Sequence, residues 1–135
     1  MRDLKDFALP FGRVLIAVLF LISGVRKLGH PGAVIEMIGQ NLPLPTLGFA
    51  ISIACELGAG TLFLLGYRTR VMAAILAIFT LATALAFHND FAARGELNNF
   101  LKNLAILGGL LHVWAIGGGR YSIDGCLGGR VSAPA

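Results

Sequence analysis

Residues 47–67 read LGFAISIACELGAGTLFLLGY, an apolar run with one acidic residue, Glu56, near its middle. A helix needs roughly 20 largely apolar residues to cross the hydrocarbon core of a bilayer. Glu56 stands about nine residues from either end, which at roughly 1.5 Å per residue puts it near the midplane. An acid at that depth costs several kcal/mol unless it is partnered, protonated or facing water. The rest of the chain is therefore read for what it offers Glu56.

The composition agrees with a membrane solvent. Of 135 residues, 56% are hydrophobic and 13% charged, and the mean hydropathy is +0.79. A soluble domain carries about a quarter charged residues. The net charge of +4 could point to nucleic acid, but the basic residues fall at the ends of apolar runs rather than in one stripe. Nucleic acid is therefore set aside and the lipid bilayer is the expected partner. Cys55 lies within a span and Cys126 in the tail, too far apart along the membrane normal to pair, and no C-x-x-C occurs.

Four spans are expected, at about 11–28, 47–66, 71–88 and 99–116, giving one all-α, four-helix membrane domain over residues 1–135. Residues 1–10 read as a polar lead. The first apolar run is too long for a signal peptide, and SGVRK at 23–27 is a poor cleavage site. In the first span Arg13, Ala17, Phe20, Gly24 and Lys27 share one face by their three- and four-residue steps. A small or charged face should turn into the bundle. For Arg13 and Lys27 the alternative is snorkelling to the headgroups.

Between the first two spans Pro31 can open a short helix whose Val34, Ile35 and Ile38 lie on the membrane surface, with Pro43 and Pro45 ending it. In the second span Ser52, Glu56 and Gly60 are four apart, and Ala54 and Gly58 add small residues for close approach. The third span presents Ala73, Ala77, Thr80, Ala84 and His88 on one face, with Ile75, Phe79 and Leu85 pointing elsewhere. A polar loop over 89–98 precedes the fourth span, which Lys102 and Asn103 enter. His112 is about 900° from Asn103 at 100° per residue, so the two face opposite ways, and His112 reads as an interhelical hydrogen-bonding residue. The tail from Arg120 onward reads as short and polar.

Four spans put both termini on the side of the turn at 67–70. That side carries seven Lys and Arg residues against four on the other, which places both termini in the cytoplasm. The polar residues then fall into two layers. Lys27, His88, Lys102 and Asn103 lie towards the outer face with Glu56 one or two turns deeper. Arg13, Arg120, Ser122 and Asp124 lie at the cytoplasmic edge. Burial would raise the acid's pKa and neighbouring cations would lower it, so such a group could pass protons between a bound redox ligand and water. The competing reading is a structural clasp that fixes helix register. His30, His88 and His112 lack metal-ligand spacing, and no metal is expected.

Several blocks together resemble one family. GRVLIAVLFLISGVRKLGHP at 12–31 resembles the opening signature of the DoxX family of small bacterial membrane proteins. Glu56 with Gly58, and the LLGYRTR turn at 64–70, are similar to its second helix and following loop. Phe87-His88, FLKNL at 100–104 and GRYSID at 119–124 match its later blocks.

The resemblance implies a four-helix protein of the bacterial inner membrane. It also implies a subunit of a quinone-linked, or thiol- and oxidative-stress-linked, oxidoreductase complex. Glu56 and His88 are the candidates for proton handling, and Lys27, Lys102 and Asn103 for ligand binding. Arg13, Arg120, Ser122 and Asp124 form the edge motif. Electron transfer would need a diffusible quinone or a redox partner subunit. A non-catalytic anchor or assembly partner is the alternative, and a transport path would require a homo-oligomer.

Overall fold

The structure, a computed structural model, describes residues 2–131; the side chains of 2, 3, 5 and 129–131 lie outside that description. Helix α1 spans Arg2–Gly29 and the short α2 Pro31–Gly39. Helix α3 covers Pro45–Leu65, and its middle, Ala54–Ala59, is wound as a π-helix. Helices α4 (Thr69–Phe87), α5 (Glu96–Ile116) and α6 (Ile123–Val131) complete the order. Among the described residues there is no strand. Four segments, Asp6–Gly29, Pro45–Leu65, Thr69–Phe87 and Glu96–Ile116, are long and apolar enough to cross a membrane.

Several boundaries differ from the sequence reading for identifiable reasons. Helix α1 begins well before residue 11 and runs through Pro10. A proline costs a helix one hydrogen bond and a steric clash, which membrane helices tolerate where the freed groups find other partners. Pro45 does not end the connector helix; it sits in the first turn of α3, where its missing N–H is not needed. Helix α5 starts at Glu96 rather than 99, after Gly95 adopts a left-handed φ of 88°. The tail is helical over α6.

The inward faces are those that the small and polar residues mark. Arg13, Ala17, Phe20 and Gly24 are buried on α1; Ser52, Glu56 and Gly60 on α3; Ala73, Ala77, Thr80 and Ala84 on α4. The core adds Phe63, Leu76, Leu110 and Val113. Leu15, Val18, Leu19, Ile22 and Val25 stay exposed on the opposite side of α1, as a lipid-facing surface does. Ala54 and Gly58 differ: both are exposed, and nothing lies within 4 Å of a Cβ built on Gly58. The close approach is made instead by Gly24, whose Cβ would come within 2.7 Å of Leu57 and 3.2 Å of Glu56 Cβ. Ile38 of α2 is buried rather than spread on the membrane surface, because it packs against Gly48 of α3.

Candidate functional site

Glu56 sits inside the π-helical turn of α3 and is 4% exposed. A π-turn carries an extra residue per hydrogen-bonded ring, and such turns recur at functional positions. This one faces α1 where Gly24 removes the side chain that would block approach. Two α1 donors meet one oxygen: Ser23 Oγ donates to Glu56 Oε1 at 3.0 Å, and Lys27 Nζ lies 2.7 Å from the same atom. The other oxygen, Oε2, is buried and has no hydrogen-bond partner. Buried polar oxygens without partners are rare, since each forgoes about 1–3 kcal/mol of solvation. The Lys27 ammonium also stands 5.7 Å from the Phe79 ring centre, a cation–π contact from α4. Phe79 therefore points into the bundle, not elsewhere as its spacing suggested.

Lys27 and Ser23 open onto a groove of about 670 Å³ beside α1 and the start of α2. Its floor is apolar, and Arg26, Lys27 and His30 gather at one end. Lys27 thus belongs to both the buried acid and the groove.

The other outer-layer candidates do not join this site. His88 is half-buried and its Nδ1 lies 2.7 Å from Glu96 Oε2, while Asn99 Nδ2 donates to Glu96 Oε1 at 3.3 Å. Phe79, at the level of the Lys27 ammonium, is nine residues before His88 on α4, roughly 14 Å along the helix. His88 thus ties the end of α4 to the start of α5. Lys102 is exposed and Asn103 half-buried, and neither side chain makes a hydrogen bond among the described residues. His112 is exposed and bonds Gly108 O at 2.9 Å on its own helix, so it is not an interhelical link. Among the described residues no three His, Cys, Asp or Glu side chains gather as metal ligands. Cys55 and Cys126 are both free.

At the opposite end Arg13 does not snorkel. It is 4% exposed, and its Nε, Nη1 and Nη2 donate to the carbonyls of Leu64, Gly118 and Tyr121 at 3.3, 2.6 and 2.7 Å. Asp124 accepts from Arg68 N at 2.8 Å, Thr69 N at 2.7 Å and Thr69 Oγ1 at 2.6 Å. It thereby caps α4 from a distant part of the chain. Burial pushes the Asp124 carboxyl up, but the hydrogen bonds from Thr69 and Arg68 and the Arg13 charge outweigh this and hold it below the usual carboxylate range. Ser122 is buried, donating to Gly119 O and accepting from Gly125 N. Arg120 is exposed and outside this knot.

These geometries sit on a chain whose likeness to known proteins is extensive. The DoxX family model matches residues 8–89, more than half of the chain. The chain belongs to the DoxX family. This DoxX protein is 38% identical over 125 residues to inner membrane protein YqjF of Escherichia coli K12, covering 92% of this chain and 95% of that one. It is 32% identical over 126 residues to inner membrane protein YphA of the same organism, covering 89% and 90% respectively. No solved structure matches it. With four candidate spans and these relatives, this DoxX protein is a multi-pass inner-membrane protein.

The sequence alone does not single out Ser23, Glu96 or Thr69. Only Ser23 had a visible signal, its place one turn before Lys27 and one residue from Gly24.

Proposed function

We propose that this DoxX protein serves as the membrane subunit of a quinone-linked, or thiol- and oxidative-stress-linked, oxidoreductase complex, with Glu56, Lys27 and Ser23 as its ligand and proton site. The unpartnered Glu56 Oε2 carries this reading. A carboxyl group tuned only to brace two helices would be expected to use both oxygens. Here one oxygen is held by α1 and the other is left for a ligand hydroxyl or a proton. Lys27 supplies the donor for a carbonyl oxygen and opens onto the groove, which gives an amphipathic ligand a way in from the bilayer. A quinone fits this chemistry because its reduction takes up two electrons and two protons at ring oxygens. The two electrons come from a partner subunit, Glu56 relays one proton to a ring oxygen, and the second proton comes from water at the membrane face.

His88 stands outside this site, paired with Glu96, and is assigned to loop positioning. The alternative clasp reading is favoured at the Arg13 end alone, where every guanidinium nitrogen donates to a backbone carbonyl. We place that end in the cytoplasm, from the seven basic residues on its side against four on the other. Of those seven, Arg2, Lys5 and Arg130 have side chains outside the described residues.

Equilibrium binding of ubiquinol-1, the reduced form whose ring hydroxyl can donate to Glu56 Oε2, to the purified protein in anaerobic nanodiscs tests the reading. Saturable binding that weakens at least about tenfold in Glu56→Gln, the loss of one good hydrogen bond to a charged group, is expected. Equal binding by a folded Glu56→Gln protein would overturn it.

A further inference from the structure

We propose that the groove beside α1 seats one anionic phospholipid, its phosphate against Arg26 and His30 and one acyl chain along Leu15, Val18, Leu19 and Ile22. The groove has two chemically distinct parts in one volume of about 670 Å³, with Val34 of α2 completing the wall. Volumes of this size accommodate small ligands or a single lipid chain. The four apolar residues recur at three- and four-residue steps, so they form a continuous strip along the helix. The strip ends where the cations begin. That is the arrangement of a phospholipid, whose chains lie in the hydrocarbon core and whose phosphate lies at the interface.

Charge complementarity selects an anionic headgroup. Lys27 already has the Glu56 carboxylate beside it, whereas Arg26 and His30 are exposed, and neither forms an ion pair among the described residues. Glu36, the carboxyl group carried by α2, does not line the groove. An exposed Arg at a helix end commonly reaches up to headgroups in general. Here it stands beside a second basic side chain at the mouth of an apolar trough, at the membrane face opposite the Arg13 end, so the lipid seated there belongs to the outer leaflet. A zwitterionic headgroup brings its own cation and gains less.

This inference does not rest on the redox reading, since it needs neither Glu56 nor a quinone. A lipid seated there would stand in front of Lys27 and Ser23.

The test is native mass spectrometry of the full-length protein released from detergent. The probes are dioleoyl phosphatidylglycerol and dioleoyl phosphatidylcholine, which share acyl chains. The expected result is a one-to-one phosphatidylglycerol adduct that outlasts the phosphatidylcholine adduct. Arg26→Gln should lower the phosphatidylglycerol preference about fivefold, the effect of one interfacial cation. Arg26→Gln/His30→Gln should abolish it. Arg94→Gln, an exposed cation in the loop before α5 that is outside the groove, should leave it intact. Equal retention of the two lipids would overturn the proposal, as would an undiminished preference in the double variant or an equal loss in Arg94→Gln. Arg26→Gln with lost phosphatidylglycerol preference but unchanged ubiquinol-1 binding would support the lipid site independently of the redox one.

Discussion

Lys27 Nζ lies 2.7 Å from Glu56 Oε1, and the second oxygen of the same carboxyl group is buried without a partner. The ammonium keeps partial contact with solvent space (22% of the side chain exposed against 5% for Glu56), so the pair is unevenly covered. Removing Lys27 leaves a buried acid in the middle of a candidate membrane span with only Ser23 as donor. Lys27→Met should therefore cost about 2 kcal/mol, below the figure for a fully buried pair because of that exposure. Adding Glu56→Gln should recover part of the loss. A double-mutant cycle by denaturation in mixed micelles measures the coupling, and strictly additive costs would contradict an interacting pair.

Gly24 controls how closely α1 meets the π-turn. A Cβ there would collide with Leu57 at 2.7 Å, so Gly24→Val should cost about 1–3 kcal/mol by overpacking. Gly12→Ala, where nothing lies within 4 Å of the added carbon, should be within about 0.5 kcal/mol of the parent, as expected for a site away from close packing. Thermal melting of both variants in one detergent reads the contrast. A stable Gly24→Val would mean that the helices do not meet at this point.

These two positions show what the sequence could reveal. A lone acid in mid-span demands a donor, and a face of Arg13, Ala17, Phe20, Gly24 and Lys27 cannot point at lipid, so the Lys27–Glu56 meeting was legible. The π-turn was not, because residues 54–59 carry no period that distinguishes π from α winding. The sequence groups His88 with the outer-layer residues because Glu96 reads as loop; with α5 starting at Glu96, the acid stands beside His88. The Asp124 cap on α4 spans more than fifty residues, and no local pattern announces such a contact.

Asp124 gives the structure a pH dependence of definite sign. Its folded-state pKa is lowered, so the stabilisation it provides is fully present above the unfolded value of about 3.9 and is lost as pH falls through the folded value. Melting temperature should hold between neutral pH and about pH 5 and decline below about pH 4, the range in which an unfolded Asp takes up its proton. Asp124→Ala should remove about 1 kcal/mol, the usual worth of a helix N-cap, and flatten that decline. A variant with the parent's acid limb would assign the pH dependence to other carboxyls.

The native cysteines report topology without new residues. Cys126 is exposed on α6, and Cys55 is half-buried within a span. With the Arg13 end cytoplasmic, a membrane-impermeant maleimide should label Cys126 in inside-out vesicles and spare it in intact spheroplasts. Cys126→Ser should abolish the signal. Labelling confined to spheroplasts would invert the orientation.

Whether Glu56 holds a ligand, rather than only a neighbouring helix, decides the role of the site. The most direct measurement is mass spectrometry of quinones that co-purify with the gently solubilised native protein, with Glu56→Gln prepared in parallel and matched for folding by circular dichroism. The predicted result is a quinone enriched over the surrounding membrane lipid extract in the native protein and reduced to background in the variant. Equal quinone content in the two folded proteins, or none above background in either, would contradict ligand binding at Glu56 and leave the Lys27–Glu56 pair as a clasp.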